Sequence, residues 1–160
     1  MKTTKKYGKQ ADAALTLWIK LARAYATFGK LSSENIRTFG LTEPQFAVIE
    51  CLGHLGPLKH SELSKKMLVS GGNITCVIDN LEKENLVERI QSKKDRRVIM
   101  VRLTPKGQRF FKDKFVQHAK FITTITSVLS AVEQDQLATL LKKFGLALQE
   151  QLPENRNGND

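Results

Sequence analysis

LSKKMLVSGGNITCVIDNLEKENLVERIQSKKDRRVIMVRLTPKG, residues 63–107, changes its apolar period partway along. Up to about Asn85 the apolar residues recur at intervals of three and four, as on one face of a helix. Leu86 to Ile90 and Val98 to Leu103 are instead short β-rich runs around a polar tip, QSKKDRR. The period predicts a helix followed by a hairpin with a basic tip. Ser70 is placed to cap the helix. A projection at 100° per residue turns Ile74, Val77, Ile78 and Leu81 toward a core, which leaves Gly72, Cys76, Asp79, Asn80 and Lys83 facing away and Asn73 and Thr75 on the flanks.

Upstream, LTEPQF opens another helix: Thr42 can cap it, Gln45 three residues later can complete a capping box, and Pro44 is tolerated in a first turn. That helix runs to Leu55, Gly56 and Pro57 punctuate, and a short helix with Leu63 and Met67 inward follows. A long first helix covers Ala11 to about Phe28, with Trp18, Leu21, Ala22 and Tyr25 in its apolar series. Downstream, Thr104 and Pro105 start a helix extending to about Ser130, whose apolar residues occupy an unusually broad arc. A last helix carries Leu137, Leu140, Leu141, Phe144 and Leu148 and ends before Pro153. The chain therefore divides into an N-terminal tail and helix at 1–40, a central lobe at 41–103, C-terminal helices at 104–152 and a tail at 153–160 expected to be disordered.

Helix, short helix, helix, hairpin is the order of a winged helix-turn-helix, so the expected fold class is mainly α (α+β). In that arrangement the second helix of the turn enters the major groove and the β-wing lies against the DNA backbone or minor groove. The charge agrees in sign and place. Lys plus Arg total 26 against 16 Asp plus Glu, a net +10. Residues 1–10 hold four lysines and no acid, and residues 86–109 hold eight bases against Glu88 and Asp95, so these two stretches account for the whole excess. A bland solvated surface would spread it.

The residues also suit the chemistry of base reading. Ser70, Gly71 and Gly72 leave backbone N–H groups open at the positive end of a helix, which suits a phosphate, although the same residues serve equally as a plain cap. Asn73 and Thr75 can hydrogen-bond base edges, with Cys76 and Asn80 on the same face. At the hairpin tip, Lys93, Lys94, Asp95, Arg96 and Arg97 combine charge with an acid able to orient a guanidinium for a narrow minor groove.

Other classes lack their parts. His54, His60 and His118 have no metal-ligand spacing, no Ser or Cys nucleophile motif occurs, and no glycine-rich phosphate loop follows a strand, so neither an enzyme nor a resident cofactor is expected. Cys51 and Cys76 form no CxxC or Cys/His cluster, which leaves both thiols free. No apolar run is long enough to cross a bilayer and MKTTKKYGKQ has no hydrophobic core behind it, so a cytoplasmic protein without a membrane partner is expected. An architectural, sequence-independent DNA binder would share the charge but would not need Asn73 and Thr75.

Residues 63–107 resemble the MarR family (multiple-antibiotic-resistance regulators) almost position for position, including NIT, VIDNLE, LVER, DRR and LTPKG. The flanking helices agree in length and order. Asn85 departs from the family's usual glycine, and asparagine also tolerates the left-handed conformation there. The resemblance implies a transcriptional regulator, a repressor by family default, acting as a homodimer. Its N- and C-terminal helices, here about 9–38 and 105–150, would intertwine, and two lobes would read a pseudo-palindromic double-stranded operator with recognition helices about 34 Å apart. Asp95 and Arg97 would be the wing pair, with Arg97 the minor-groove finger. A long helix apolar around most of its circumference wants such a partner in any case.

The resemblance further implies release from DNA by a small phenolic or aromatic acid, or by thiol oxidation or alkylation. Trp18, Tyr25, Phe39 and Phe46 are candidates to line an effector pocket, with Tyr25 and His54 as polar handles, although aromatics at helical spacing are mostly core. Cys51 reads as inert packing. Cys76, near a helix N-terminus amid positive charge, is the candidate redox residue, or simply a small residue that lets the helix approach the bases.

Overall fold

The structure, a computed structural model, describes residues 7–67, 71–92 and 97–151. Six helices and three strands follow in the order α1 (Lys9–Arg37), α2 (Glu43–Leu55), β1 (Leu58–Lys59), α3 (His60–Met67), α4 (Gly71–Lys83), β2 (Val87–Gln91), β3 (Ile99–Leu103), α5 (Pro105–Thr126) and α6 (Ala131–Gln149). They form two compact units, one up to Ala119 and one from Lys120.

The first unit is built on a core that the apolar spacing anticipated. Ile74, Ile78 and Leu81 of α4 are fully buried against Phe46, Val48, Ile49 and Leu52 of α2, Leu63 of α3, and Val87, Val101 and Leu103 of the sheet, with Val77 and Met67 partly buried at its edge. Each such side chain contributes about 1.5–3 kcal/mol on burial. α2 starts as its sequence requires. Thr42 accepts from the Gln45 backbone N–H, and the Gln45 side chain accepts from Thr42 N at 2.8 Å, a complete capping box. Asn85 takes φ 56°, the left-handed conformation expected where α4 stops.

The sheet holds a strand the alternation did not predict. β1 pairs with β3 (Leu58↔Val101, Lys59↔Met100), and β3 pairs with β2 from Val87↔Leu103 to Gln91↔Ile99, so the order is β1-β3-β2 and all pairs are antiparallel. Two residues behind Pro57 are too few to show a period of two; only the open edge of β3 makes them a strand.

Both long helices end elsewhere than their apolar series, although α1 matches the 9–38 that the family resemblance implies. α1 continues past Phe28 to Arg37, because its polar last turns face solvent while Ile36 packs into the core. α5 stops at Thr126 rather than Ser130. Ser130 instead caps α6: it accepts from the Glu133 backbone N–H while Glu133 accepts from Ser130 N at 2.8 Å. That S-x-x-E box was in the sequence and outranks the continuing apolar pattern.

α5 begins against the turn that ends α4. Thr104 donates from its hydroxyl to the Asn85 carbonyl at 2.7 Å and accepts from the Gly107 backbone N–H at 3.0 Å, and its own N–H donates to the Leu86 carbonyl at 3.1 Å. Gly107 is buried there, with space for no side chain: a Cβ would stand 1.9 Å from the Leu86 carbonyl oxygen. α6 in the second unit buries no residue, and Val132, Leu140 and Leu146 are more than half exposed. No helix among the described residues is long and apolar enough to cross a membrane.

Candidate nucleic-acid interface

α3 and α4 form a helix-turn-helix with a β-wing, and α4 presents the face the projection assigned to it. Gly72, Asn73, Thr75, Cys76 and Asn80 are all exposed. Gly71 opens the helix, so the N–H groups of its first turn have no partner one turn back within α4. A Cβ on Gly72 would meet nothing within 4 Å, so the fold does not demand glycine there. Asn80 Nδ2 lies 3.9 Å from Cys76 Sγ, one turn away on the same face. Arg97, where the wing rejoins β3, is exposed. Ser70, Lys93, Lys94, Asp95 and Arg96 lie outside the described residues.

Two groups on this face are more constrained than the sequence indicated. Thr75 Oγ1 pairs with Nε2 of His60, the first residue of α3, at 2.9 Å. Asp79 is half-buried in an ion pair. Arg89 of β2 donates from Nη2 to Asp79 Oδ1 at 2.7 Å, from Nη1 to Glu82 Oε2, and from its backbone N–H to Glu82 Oε1 at 2.9 Å. Asp79 and Glu82, three apart, occupy one face of α4, so the guanidinium fork ties α4 to β2.

The basic stretch is consequently less uniform than its charge count. Besides Arg89, Arg102 donates from Nε to Glu88 Oε1 at 2.8 Å, and Lys106 Nζ donates to the Glu84 carbonyl at 2.7 Å. These three cations are engaged within the fold.

The aromatic candidates separate. Phe46 is buried in the core, 5.9 Å from the half-buried Phe39, whose ring lies 5.7 Å from Lys114 Nζ. His118 of α5 stands edge-on to Phe46 at 4.9 Å, and its Nδ1 is 2.8 Å from Asn35 Oδ1. Burial pushes the His118 pKa down against the raising effect of Glu50. His54 sits elsewhere, edge-on to Phe111 and Phe115. Trp18 and Tyr25 are exposed on α1, and Trp18 is 19 residues before the helix end at Arg37. At 1.5 Å per residue that is about 28 Å along the axis from the Phe39 end, so these aromatics do not share one site within the chain. Asn35, Lys114 and His118 were not among the sequence candidates; nothing in local spacing signals a pair 83 residues apart.

Cys51 packs half-buried beside the core, and burial raises its thiol pKa, which suits inert packing. Cys76 is exposed. No group of three or more His, Cys, Asp or Glu able to hold a metal occurs among the described residues.

A helix-turn-helix braced to a β-wing, with a polar helix face and a basic wing, defines a winged-helix DNA-binding regulator. The MarR family model matches residues 41–99. The HTH-type transcriptional regulator MhqR of Bacillus subtilis is 37% identical over 135 residues, covering 84% of this chain and 93% of that protein. The chain belongs to the MarR family of transcriptional regulators. The HTH-type transcriptional repressor MdtR of Bacillus subtilis is 31% identical, with coverage of 84% and 89%. Among solved structures, Bordetella bronchiseptica BpsR, whose DNA binding is regulated by 6-hydroxynicotinic acid, superposes with TM-score 0.72 at 23% identity, over 81% of this chain and 98% of that one.

Proposed function

We propose that this regulator is a homodimer that reads a pseudo-palindromic DNA operator in the cytoplasm, represses the genes it covers, and releases DNA when a small aromatic acid binds. The observation that carries the reading is the brace of Arg89 on Asp79 and Glu82. It ties α4 to β2, the strand that leads into the wing; in this reading Asn73, Thr75 and Asn80 address bases while the wing residues Lys93, Lys94, Asp95, Arg96 and Arg97 address the backbone and minor groove. Ser70, Gly71 and Gly72 supply the phosphate contact at the start of α4.

The dimer is supported by α6, a helix with no buried residue, and by Trp18 and Tyr25 of α1, 65% and 78% exposed. Apolar surface of that extent is covered by a partner chain in a stable soluble protein. The aromatic effector is supported by the chemistry around Phe39. There the half-buried Phe39 ring lies 5.7 Å from the Lys114 ammonium, itself paired with Asp113 at 3.0 Å, so that an apolar ring and a cation stand together as an aromatic acid requires. The relative BpsR responds to an aromatic acid of this kind, and the repressor role follows the relative MdtR. Modification of the exposed Cys76 thiol would block the groove sterically; alkylation that releases wild type and Cys76→Ser equally from DNA refutes that second route.

The test is selection of duplexes from a random library at about 150 mM salt, where phosphate-only binding is weakened. An inverted repeat with half-sites about one helical turn apart is expected. Binding without enrichment would instead identify a sequence-independent architectural protein, the reading that the basic charge alone would favour. Arg97→Ala is expected to weaken all sequences alike, and Asn73→Ala to relax one base position per half-site.

A further inference from the structure

We infer that Asp79 reads bases as well as bracing the fold: its second carboxylate oxygen accepts a hydrogen bond from an exocyclic amino group, that of adenine or cytosine, in the major groove. The inference rests on the reading of α4 as the base-reading helix.

α4 carries two acids, Asp79 and Glu82, and Arg89 engages them unequally. Glu82 has both oxygens committed: Oε1 accepts from the Arg89 backbone N–H at 2.9 Å, and Oε2 accepts from Nη1. Asp79 accepts from Nη2 through Oδ1 alone, at 2.7 Å, which leaves Oδ2 without a hydrogen bond among the described residues. The side chains of Arg89 and Glu82 are each 30% exposed and that of Asp79 is 48% exposed. Asp79 is thus the arm of the brace that reaches solvent.

Its place on the helix suits a reader. Asp79 follows Cys76 by three residues and Gly72 by seven, so the three share the outward stripe of α4, opposite the buried Ile74, Ile78 and Leu81. All three are short, and a helix with short residues on its leading stripe can approach the base edges closely enough for an aspartate to reach them. Asp79 lies six residues beyond Asn73, about 9 Å along the axis, so it meets a different base pair.

A carboxylate between phosphate-lined walls is unfavourable unless it meets a donor. The donors on the major-groove edges are the N6 amino group of adenine and the N4 amino group of cytosine, whereas guanine and thymine present acceptors that repel it. Arg89 holds the carboxylate and offsets part of its charge, and the exposed Lys83, one turn on, adds a cation to the same stripe. An ionised carboxylate only accepts, unlike a hydroxyl or an amide. It therefore selects by attraction to an amino-bearing base and by repulsion from a keto-bearing one.

The experiment uses the full-length protein and the duplex that wild type enriches from the random library, together with its single-base variants. At one position per half-site, adenine or cytosine should be preferred over guanine and thymine by about tenfold. Asp79→Ala should flatten that position and no other. Glu82→Gln weakens the same brace without altering the outward stripe, and should leave the base profile as it is. With wild-type protein, replacing that base by its analogue without the amino group (purine for adenine, pyrimidin-2-one for cytosine) should weaken binding by about tenfold, a comparison that needs no variant to fold. Asp79→Ala should bind the natural base and the analogue alike. An unchanged profile in Asp79→Ala, an even loss on every duplex that Glu82→Gln reproduces, or an analogue bound by wild type as tightly as the natural base would each overturn the inference, while an enriched inverted repeat would still support base reading by α4. A wild-type protein that enriches no sequence would overturn the base-reading role of α4, and this inference with it.

Discussion

Replacing Gly107 by alanine sets two opposed effects against each other, and the structure decides the sign. Gly107 sits in the first turn of α5 without a positive φ, where alanine is otherwise favoured by up to about 1 kcal/mol. The added Cβ would, however, lie 1.9 Å from the Leu86 carbonyl oxygen, about 1.4 Å inside the roughly 3.3 Å at which a carbon and a carbonyl oxygen come to rest. The oxygen is backbone and the Cβ position is fixed by the backbone that carries it, so no rotamer change relieves the overlap; the start of α5 must part from the end of α4. Parting them costs about 1–3 kcal/mol as overpacking. It also loosens the Thr104 bonds to Asn85 and Leu86, a cap worth about 1 kcal/mol. The net expectation is a loss of about 2 kcal/mol, read as a lower urea midpoint with unchanged slope at one fixed protein concentration. Gly72→Ala is the counterpart. With nothing within 4 Å of its Cβ it should match or exceed wild type by up to about 1 kcal/mol, yet bind DNA less well, because the methyl group obstructs approach to the helix start. A Gly107→Ala protein as stable as wild type would refute the close approach of α5 to the α4–β2 turn.

Removing the brace should show coupling. Arg89→Met is expected to cost about 1–2 kcal/mol, modest because the three side chains are 30–48% exposed, and combining it with Glu82→Gln should cost less than the two separate losses together; strictly additive losses would argue against a shared guanidinium. His118 makes stability depend on pH. Its folded pKa lies below the 6.5 of a free imidazole, so as pH falls below about 6.5 the unfolded chain takes up the proton first. Stability therefore falls through that window and levels off once the pH is under the lowered folded value. His118→Gln should reduce the slope of unfolding free energy against pH between about 7 and 5, and an unaltered slope would remove His118 as its source. Truncating the core reports on the lobe as a whole: Ile78→Ala should cost about 2–5 kcal/mol, measured as a shift in the same urea midpoint.

The amino-acid sequence by itself determined the elements whose causes are local. The spacing of Ile74, Ile78 and Leu81 settled which face of α4 is buried, and so which residues face outward. The Thr42–Gln45 box started α2, Asn85 ended α4, and the change of period after Leu86 marked the hairpin. The Ser130–Glu133 box is equally local, but the apolar pattern of α5 runs on through it and masks the break. What only the tertiary structure decided are pairings between residues distant along the chain, since a periodicity records which way a side chain points and not what it meets. β1 exists because β3 offers an open edge. Arg89 is a brace rather than a groove cation because Asp79 and Glu82 face it across the α4–β2 turn. Gly107 is required because a carbonyl from residue 86 lies against it, and His60 touches Thr75 because β1 and α3 turn a corner beside α4. The candidate effector residues divided for the same reason: Phe39 and Phe46 meet at the end of α1, Trp18 lies far along that helix, and His118 arrives from α5, 83 residues after its partner Asn35.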